Sequence, residues 1–192
     1  LTDLDRANAL GWGAYFAVGL RRSGLTRWQR GGAADVVALP ALFVDVDDPS
    51  PEALIWLQCT DPTPSCIIAS GGGYHAYWWL DEPSADLTTA RHLLRGLAIA
   101  LHGDPLSVAQ SLRVPQSHNT KPMRDHALCR VLELHEHRYP LEAFKAYLPS
   151  DRQPPRRSSA SRPATRAPIP VNADNIYRVA DALIASGCKP RG

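Results

Sequence analysis

Cysteine, long apolar runs and strong net charge are all scarce in this chain of 192 residues. Its four cysteines include no C-x-x-C pair, which disfavours a zinc site built from thiolates. No run of about 18 apolar residues and no signal peptide is present, so we expect no membrane partner and predict a cytoplasmic location. The net charge of +2 is too small to indicate a nucleic-acid partner by itself.

The chain does contain enough apolar sequence for one sizeable core, followed by a tail of different composition. Hydrophobic residues make up 44% of the chain, and we predict one globular domain over residues 1–150. Residues 151–170 are rich in arginine, proline and serine, which is typical of a flexible linker. Residues 171–192 contain a helical apolar pattern and are expected to begin a truncated C-terminal module. Because the chain begins with leucine, we expect it to be a fragment of a longer protein.

Two aspartates, Asp45 and Asp47, end a predicted strand over residues 36–47. Side chains at i and i+2 of a strand point to the same face, so these two carboxylates project together. Adjacent carboxylates repel each other unless a cation lies between them or one takes up a proton. Hard divalent ions prefer such oxygen ligands, and the pattern therefore favours a metal site. The alternative is a plain strand-end turn, since Asp48-Pro49-Ser50 follows at once.

A glycine-rich hairpin is predicted over residues 66–80, which read CIIASGGGYHAYWWL. The three glycines allow the backbone to approach a phosphate closely. The period of two places His75, Tyr77 and Trp79 on one face. The alternative is a flexible hairpin tip with an incidental histidine. Either Trp78 or Trp79 is expected in the core.

A third segment, residues 111–121, reads SLRVPQSHNTK and combines cations with a polar turn. Arg113 and Lys121 suit a triphosphate or a nucleic-acid backbone. Asn119 either contacts a nucleotide or caps the turn. An ordinary charged surface loop is the alternative for the whole segment.

Together, the three segments resemble the archaeo-eukaryotic primase superfamily, in particular its RepB-like branch of plasmid and phage primases and primase-polymerases. The superfamily's hydrophobic-D-x-D, small-x-His and third motifs are matched by FVDVD, by GYH within SGGGYHAYW, and by LRVPQSHNTK. The last resembles the pattern R-hydrophobic-P-G-x-x-N-x-K, with Gln116 where glycine is usual. The resemblance covers roughly residues 8–125. It implies a mixed-sheet α+β catalytic fold with an RRM-like core.

The resemblance also implies an activity, namely primer synthesis and extension from NTPs or dNTPs on a single-stranded DNA template. Two divalent ions, Mg²⁺ or Mn²⁺, would be held by Asp45 and Asp47. The incoming nucleotide would be bound by residues of the second and third motifs: Ser70, Gly73, His75, Arg113, Asn119 and Lys121. A helicase or a further C-terminal domain of the full-length protein is an expected partner.

A third metal carboxylate is expected shortly before Arg113, and Asp104 is our candidate. It is the only acid between the start of the preceding helix and Arg113. The alternative is a plain turn, since Gly-Asp-Pro is turn-prone. For the whole chain, two other functions stay open: a non-catalytic nucleic-acid-binding module of replication initiation, and a metal-dependent nuclease or phosphoesterase.

Local sequence signals predict an α/β fold in the loose α+β sense, because strands and helices mix without strict alternation. Ser50 is expected to cap a helix whose first turn contains Pro51. The expected helices otherwise cover residues 2–10, 84–101, 140–148 and 174–186. Strands are expected at 14–18, 36–47 and 128–134 besides the hairpin, with a polar loop at 20–34.

Overall fold

Two strands of 11 residues each, β3 (Val36–Val46) and β5 (Tyr74–Ser84), form the centre of the fold and pair antiparallel. The computed structural model describes residues 2–26 and 29–148. The predicted linker, the C-terminal module and its helix at 174–186 lie outside the described residues. None of the described helices is long and apolar enough to cross a lipid bilayer.

The central pair belongs to a mixed sheet with the strand order β2-β3-β5-β4-β7, in which β8 pairs parallel with β5. All other pairs are antiparallel. The added strands are β2 (Leu20–Arg21), β4 (Cys66–Ala69), β7 (Arg130–Leu134) and β8 (Arg138–Tyr139). A separate pair of three-residue strands is formed by β1 (Tyr15–Ala17) and β6 (Ser111–Arg113). The predicted mixed-sheet α+β class is confirmed.

Among the residues that the structure describes, three α-helices accompany the sheet: α1 (Thr2–Ala9), α2 (Pro51–Gln58) and α3 (Leu87–Ala100). Helix α2 begins as predicted, with the Ser50 hydroxyl accepting a hydrogen bond from the Ala53 N–H. Helix α3 begins three residues later than predicted, because β5 continues through Ser84, which pairs with Leu39 of β3. Asp86 caps α3 instead, accepting from the Thr89 N–H at 3.0 Å.

The short connections differ in two places from the sequence-based expectation. The predicted loop at 20–34 contains β2 and the start of a 3₁₀ turn, Ala33–Asp35. The predicted α-helix at 140–148 is a 3₁₀ helix, Leu141–Tyr147. A further 3₁₀ turn, Pro122–Arg124, follows β6.

The core lies between the sheet and α3. Helix α3 buries one face against the sheet. Strand β3 contributes Leu42 and Val44 to the core, and both are fully buried. The buried residues of α3 recur at helical spacing: Ala90, Leu93, Leu94, Leu97 and Ala98. Trp78 is fully buried and packs edge-on against Phe144, which confirms that one of the two adjacent tryptophans belongs to the core. This packing fixes β3 and β5, and with them the end of the sheet that bears the aspartates.

Candidate active site

The register between the central strands brings Asp45 and His75 together. They are direct partners in the β3–β5 ladder, so their side chains project from the same face of the sheet. The Asp45 Oδ1 atom lies 3.6 Å from the His75 Nε2 atom. Asp47 follows the end of β3 and is exposed. Two of the three sequence motifs therefore meet at one point.

Asp45 is a carboxylate held in an unfavourable environment. Its side chain is 21% exposed, and its buried Oδ1 atom has no hydrogen-bond partner among the residues that the structure describes. Burial, followed by the negative charges of Asp47 and Asp104, raises the pKa of Asp45 to about 6. The positive charges of Lys121 and Arg113 oppose this rise only in part. A cation placed at Asp45 would relieve both the burial cost and the repulsion.

His75 is neutral at pH 7. Burial, assisted by the charge of Arg113, lowers the pKa of His75 to about 4. Its contact with Asp45 is therefore not an ion pair. The Tyr77 hydroxyl lies 3.5 Å from His75 Nδ1, and burial raises the pKa of Tyr77, which keeps that hydroxyl protonated. In the tautomer in which Nδ1 accepts from this hydroxyl, the ring proton lies on Nε2, the nitrogen that faces Asp45.

Arg113 is a buried cation with an unused donor. It ends β6 and pairs directly with Tyr15 of β1. The residue is only 4% exposed, and its guanidinium carbon lies 4.8 Å from the centre of the Tyr15 ring. Within residues 2–26 and 29–148, its NH1 nitrogen has no hydrogen-bond partner. Because a buried guanidinium is costly without acceptors, this nitrogen marks a place for an anion.

These groups line one cavity with about 130 Å³ of internal space. It contains seven of the nine residues that the sequence predicted for the site: Asp45, Asp47, Ser70, His75, Arg113, Asn119 and Lys121. Carboxylates and cations thus face a common space.

Gly73, the eighth predicted residue, is in contact with protein rather than with the cavity. A Cβ atom at this position would lie 2.0 Å from the backbone oxygen of Val46. The Ser70 N–H donates to the Gly73 oxygen at 2.9 Å and closes the turn. Glycine is required here because the turn packs directly on the end of β3.

Asn119 holds the third motif to this glycine turn. Its side-chain nitrogen donates to the Ser70 oxygen at 3.0 Å, and its side-chain oxygen accepts from the Lys121 N–H at 3.2 Å. Both ends of the amide are used inside the protein. This geometry favours turn capping over contact with a nucleotide.

Asp104, the ninth predicted residue, lies beside Asp45 but outside the cavity lining. Its backbone N–H donates to the backbone carbonyl oxygen of Asp45 at 2.8 Å. The negative charge of the Asp104 side chain contributes to the raised pKa of Asp45. The side chain itself is exposed. Across the part of the chain that the structure describes, no three His, Cys, Asp or Glu side chains form a ready metal-binding group. Its role as a third metal ligand stays a prediction.

The carboxylate oxygens at this site are suitable ligands for a hard divalent cation. The unpartnered Oδ1 atom of Asp45 and the adjacent Asp47 are oxygen ligands of the type that Mg²⁺ and Mn²⁺ use. Mg²⁺ commonly takes one or two protein carboxylates and completes its shell with water and substrate phosphates. Two carboxylates facing a cation-lined cavity meet this requirement.

Tyr15 and Arg124 are among the cavity side chains that sequence reasoning did not name. Tyr15 reaches it through the β1–β6 pairing, and Arg124 through the turn that follows Lys121. Neither residue is part of a recognisable local pattern. The strand signal at 14–18 placed Tyr15 in a strand but gave no information about its partner.

Comparisons with known proteins agree with this geometry. No protein-family model matches the sequence, and no curated protein matches it. The structure is similar to the AEP domain of the cyanophage S-2L primase-polymerase, with a TM-score of 0.62 and 20% identity over 77% of this chain and 76% of that one. It is also similar to the catalytic domain of primase RepB′ in complex with initiator DNA, with a TM-score of 0.53 and 17% identity over 76% of this chain and 68% of that one. A second structure of primase RepB′ gives the same score and identity over 76% of this chain and 45% of that one.

The similarities match the expectation drawn from the three sequence motifs. They extend over more than three quarters of this chain. At these identities the relationship is one of fold. The described part of this chain has a fold similar to those of the cyanophage primase-polymerase AEP domain and primase RepB′.

Proposed function

We propose that this chain is the catalytic domain of a DNA primase or primase-polymerase. It would join NTPs or dNTPs into primers on single-stranded DNA and extend them, in the replication of a plasmid, phage or other mobile element. The fold supports this assignment, since the similar structures include a primase-polymerase domain and a primase catalytic domain.

The observation that carries the proposal is a pair of unsatisfied buried atoms in one cavity. Asp45 Oδ1 lacks a donor and Arg113 NH1 lacks an acceptor among the described residues, yet both side chains line the same space. A metal-bound triphosphate supplies what each atom lacks, a cation for the carboxylate and phosphate oxygens for the guanidinium. A neutral substrate could hydrogen-bond to these atoms but would supply no opposite charge to either side chain.

Each residue of the site would have a separate role. Asp45 and Asp47 would hold two divalent ions, which when bound activate the primer hydroxyl and neutralise charge developing on the phosphates. Neutral His75 would donate from Nε2 to a phosphate oxygen. Arg113, fixed beneath Tyr15, would donate from NH1. The exposed Lys121 would add a mobile positive charge at the cavity mouth.

Preorganisation is the main contribution that these residues can make. Arg113 and His75 are buried and held by neighbouring rings, so little side-chain freedom is lost when a phosphate binds. A single-stranded DNA template is the proposed polynucleotide partner. One of the similar structures, primase RepB′, is described as a complex with initiator DNA. A helicase or a further domain remains a proposed partner of the full-length protein.

Two other functions use the same fold or the same acids. A non-catalytic replication module would not need Asp45, Asp47 and His75 together in one cavity, so their presence argues against it. A metal-dependent nuclease or phosphoesterase would use the acids but has no need for cations arranged to receive a triphosphate.

One experiment separates the three. Labelled dNTP or NTP is supplied with a single-stranded template, with a preprimed template and with labelled single strands alone, each with Mg²⁺, Mn²⁺ or EDTA. Metal-dependent incorporation directed by the template supports the proposal, and metal-dependent cleavage of the strand alone supports a nuclease. Asp81→Asn, at an exposed position near the other end of β5, is the matched control for Asp45→Asn. Incorporation that survives Asp45→Asn would contradict the site.

A further inference from the structure

Arg124 is a cavity residue that none of the three sequence motifs contains. It ends the 3₁₀ turn Pro122–Arg124 and lines the cavity together with Asp45, Arg113 and Lys121. Its side chain is half-buried and takes part in no hydrogen bond or ion pair with the other residues that the structure describes. An arginine presents five N–H donors in a planar fork, and those of Arg124 that face the cavity can donate to a ligand.

Gly72 is the surface on which the Arg124 guanidinium rests. A Cβ atom added at Gly72 would lie 2.6 Å from Arg124 Cζ and 2.8 Å from Nε. Any side chain larger than hydrogen at this position would displace the guanidinium. Gly72 is itself buried and lines the cavity. The glycine turn therefore sets where the charge of Arg124 lies.

The loop that bears Arg124 is fixed at both ends. The Asn119 N–H donates to the Ala127 oxygen at 2.8 Å, and the Ala127 N–H donates to the Arg124 oxygen at 2.8 Å. Asp125 and His126 both adopt the left-handed conformation, with φ of 44° and 51°, which non-glycine residues adopt only under constraint from their surroundings. The loop thus folds back over the glycine turn and directs Arg124 into the cavity.

We propose that Arg124, seated on Gly72, is a binding residue for the polyphosphate tail of the incoming nucleotide. It would act from the turn side of the cavity, whereas Arg113 acts from β6. The inference rests on the proposed nucleotidyl transfer, because it adds a contact to the same substrate. A polyphosphate is the ligand class that matches three convergent cations, Arg113, Lys121 and Arg124, in a small cavity.

The packing of Arg124 on Gly72 explains why a cation on a loop can contribute to binding. A free arginine at a surface loses much of its side-chain entropy on contact with an anion, which offsets most of the gain. A guanidinium already resting on a glycine and enclosed by a fixed loop loses less. The requirement for glycine at position 72 and the affinity for polyphosphate should therefore be coupled.

The test measures binding of inorganic tripolyphosphate by calorimetry, with and without Mg²⁺. The variants are Arg124→Ala, Arg124→Lys, Gly72→Ala and the double variant Arg124→Ala with Gly72→Ala. Arg95→Ala is the charge-matched control, since Arg95 is exposed on α3. Thermal unfolding of each variant verifies folding, and Arg124→Lys retains a charge should the alanine variant fail to fold.

Arg124→Ala should weaken tripolyphosphate binding by about 10-fold to 100-fold, the range for a hydrogen-bonded charged contact. Arg124→Lys should recover part of the loss, because lysine lacks the planar fork. Gly72→Ala should weaken binding in the wild-type background but have little further effect when Arg124 is already alanine. The proposal is overturned if Arg124→Ala binds like the wild type, or no more weakly than Arg95→Ala. If Gly72→Ala weakens tripolyphosphate binding equally in the wild type and in Arg124→Ala, Gly72 does not act by positioning Arg124.

The binding test does not depend on polymerisation. If template-directed incorporation is absent while tripolyphosphate binding still requires Arg124, the proposed function is wrong and the binding site stands. If incorporation is present and its KM for dNTP is unaffected by Arg124→Ala, the inference about Arg124 is wrong and the proposed function stands.

Discussion

Replacement of Asp45 by asparagine should stabilise the metal-free protein at neutral pH. The folded state raises the pKa of Asp45 from 3.8 to about 6, chiefly through burial and secondarily through Asp47 and Asp104. The folded state therefore binds this proton more tightly than the unfolded chain does. The stability that this proton contributes is fully present below pH 4, and it is lost as the pH rises through about 6. Asparagine, which is neutral throughout, avoids the loss.

The expected size follows from the two pKa values. A difference from 3.8 to about 6 corresponds to about 3 kcal/mol, and solvent at the cavity mouth reduces the effect to roughly 1 to 2 kcal/mol. For a domain of this size, each kcal/mol shifts Tm by about 2 to 4 °C. The Tm of Asp45→Asn should therefore exceed that of the wild type by roughly 2 to 8 °C at pH 7.5 in EDTA. The difference should nearly vanish at pH 4.

The assay is thermal unfolding of both proteins in EDTA across this pH range. The effects of the other titrating groups on Tm are shared by the two proteins and cancel when the two Tm values are subtracted. Added Mn²⁺ should raise the Tm of the wild type and change that of Asp45→Asn much less, since the ion stabilises the folded state through this carboxylate. A Tm difference that does not change with pH, or a wild type more stable than the variant at pH 7.5, would refute the reasoning.

Four further outcomes are expected. Asp47→Ala should reduce nucleotide incorporation by at least about 10²-fold without lowering Tm, because it removes a repulsive charge; near-normal incorporation would contradict the metal site. His75→Ala should raise KM for dNTP on a preprimed template by about 10-fold, whereas unchanged KM and unchanged binding would leave it a structural residue. Asp104→Asn should cut kcat by on the order of 10²-fold if it is a ligand, and a carboxylate facing solvent in a structure with Mn²⁺ and nucleotide bound would exclude that role. Deletion of residues 151–192 should spare primer extension and reduce priming from scratch; loss of extension would show that these residues are integral.

The parts of the fold that the sequence predicted are those fixed by local patterns. The apolar run before Asp45 and the turn chemistry before His75 each determine a strand end within a few residues. Strand β3 matches the predicted strand to within one residue, and β5 follows the glycine turn as predicted but continues four residues past the predicted end at residue 80. The pairing of Asp45 with His75 is different, since they are 30 residues apart in the chain. The resemblance to the primases suggested that they meet, and the β3–β5 register accounts for it.

The start of α3 shows where tertiary structure overrides a local signal. Ser84 and Asp86 are both good helix caps, and the sequence offers no reason to prefer the second. The pairing of Ser84 with Leu39 extends β5 past the first possible cap. A ladder hydrogen bond to a distant strand decides the boundary, and no window of local sequence contains that partner.

The three consecutive glycines illustrate the limit of sequence reasoning about the site. As a motif they predict close approach of the backbone to a phosphate, yet in the structure each glycine is explained by a different local feature. Gly71 has φ of 77°, a backbone conformation that glycine adopts without strain. A Cβ added at Gly73 would lie too close to the backbone oxygen of Val46, whereas the nearest atoms to a Cβ added at Gly72 belong to the end of the flexible Arg124 side chain. Alanine at Gly73 must therefore disrupt the turn itself, whereas alanine at Gly72 first has to move Arg124. If Arg124 binds polyphosphate as proposed, Gly72→Ala should weaken that binding without loss of the fold.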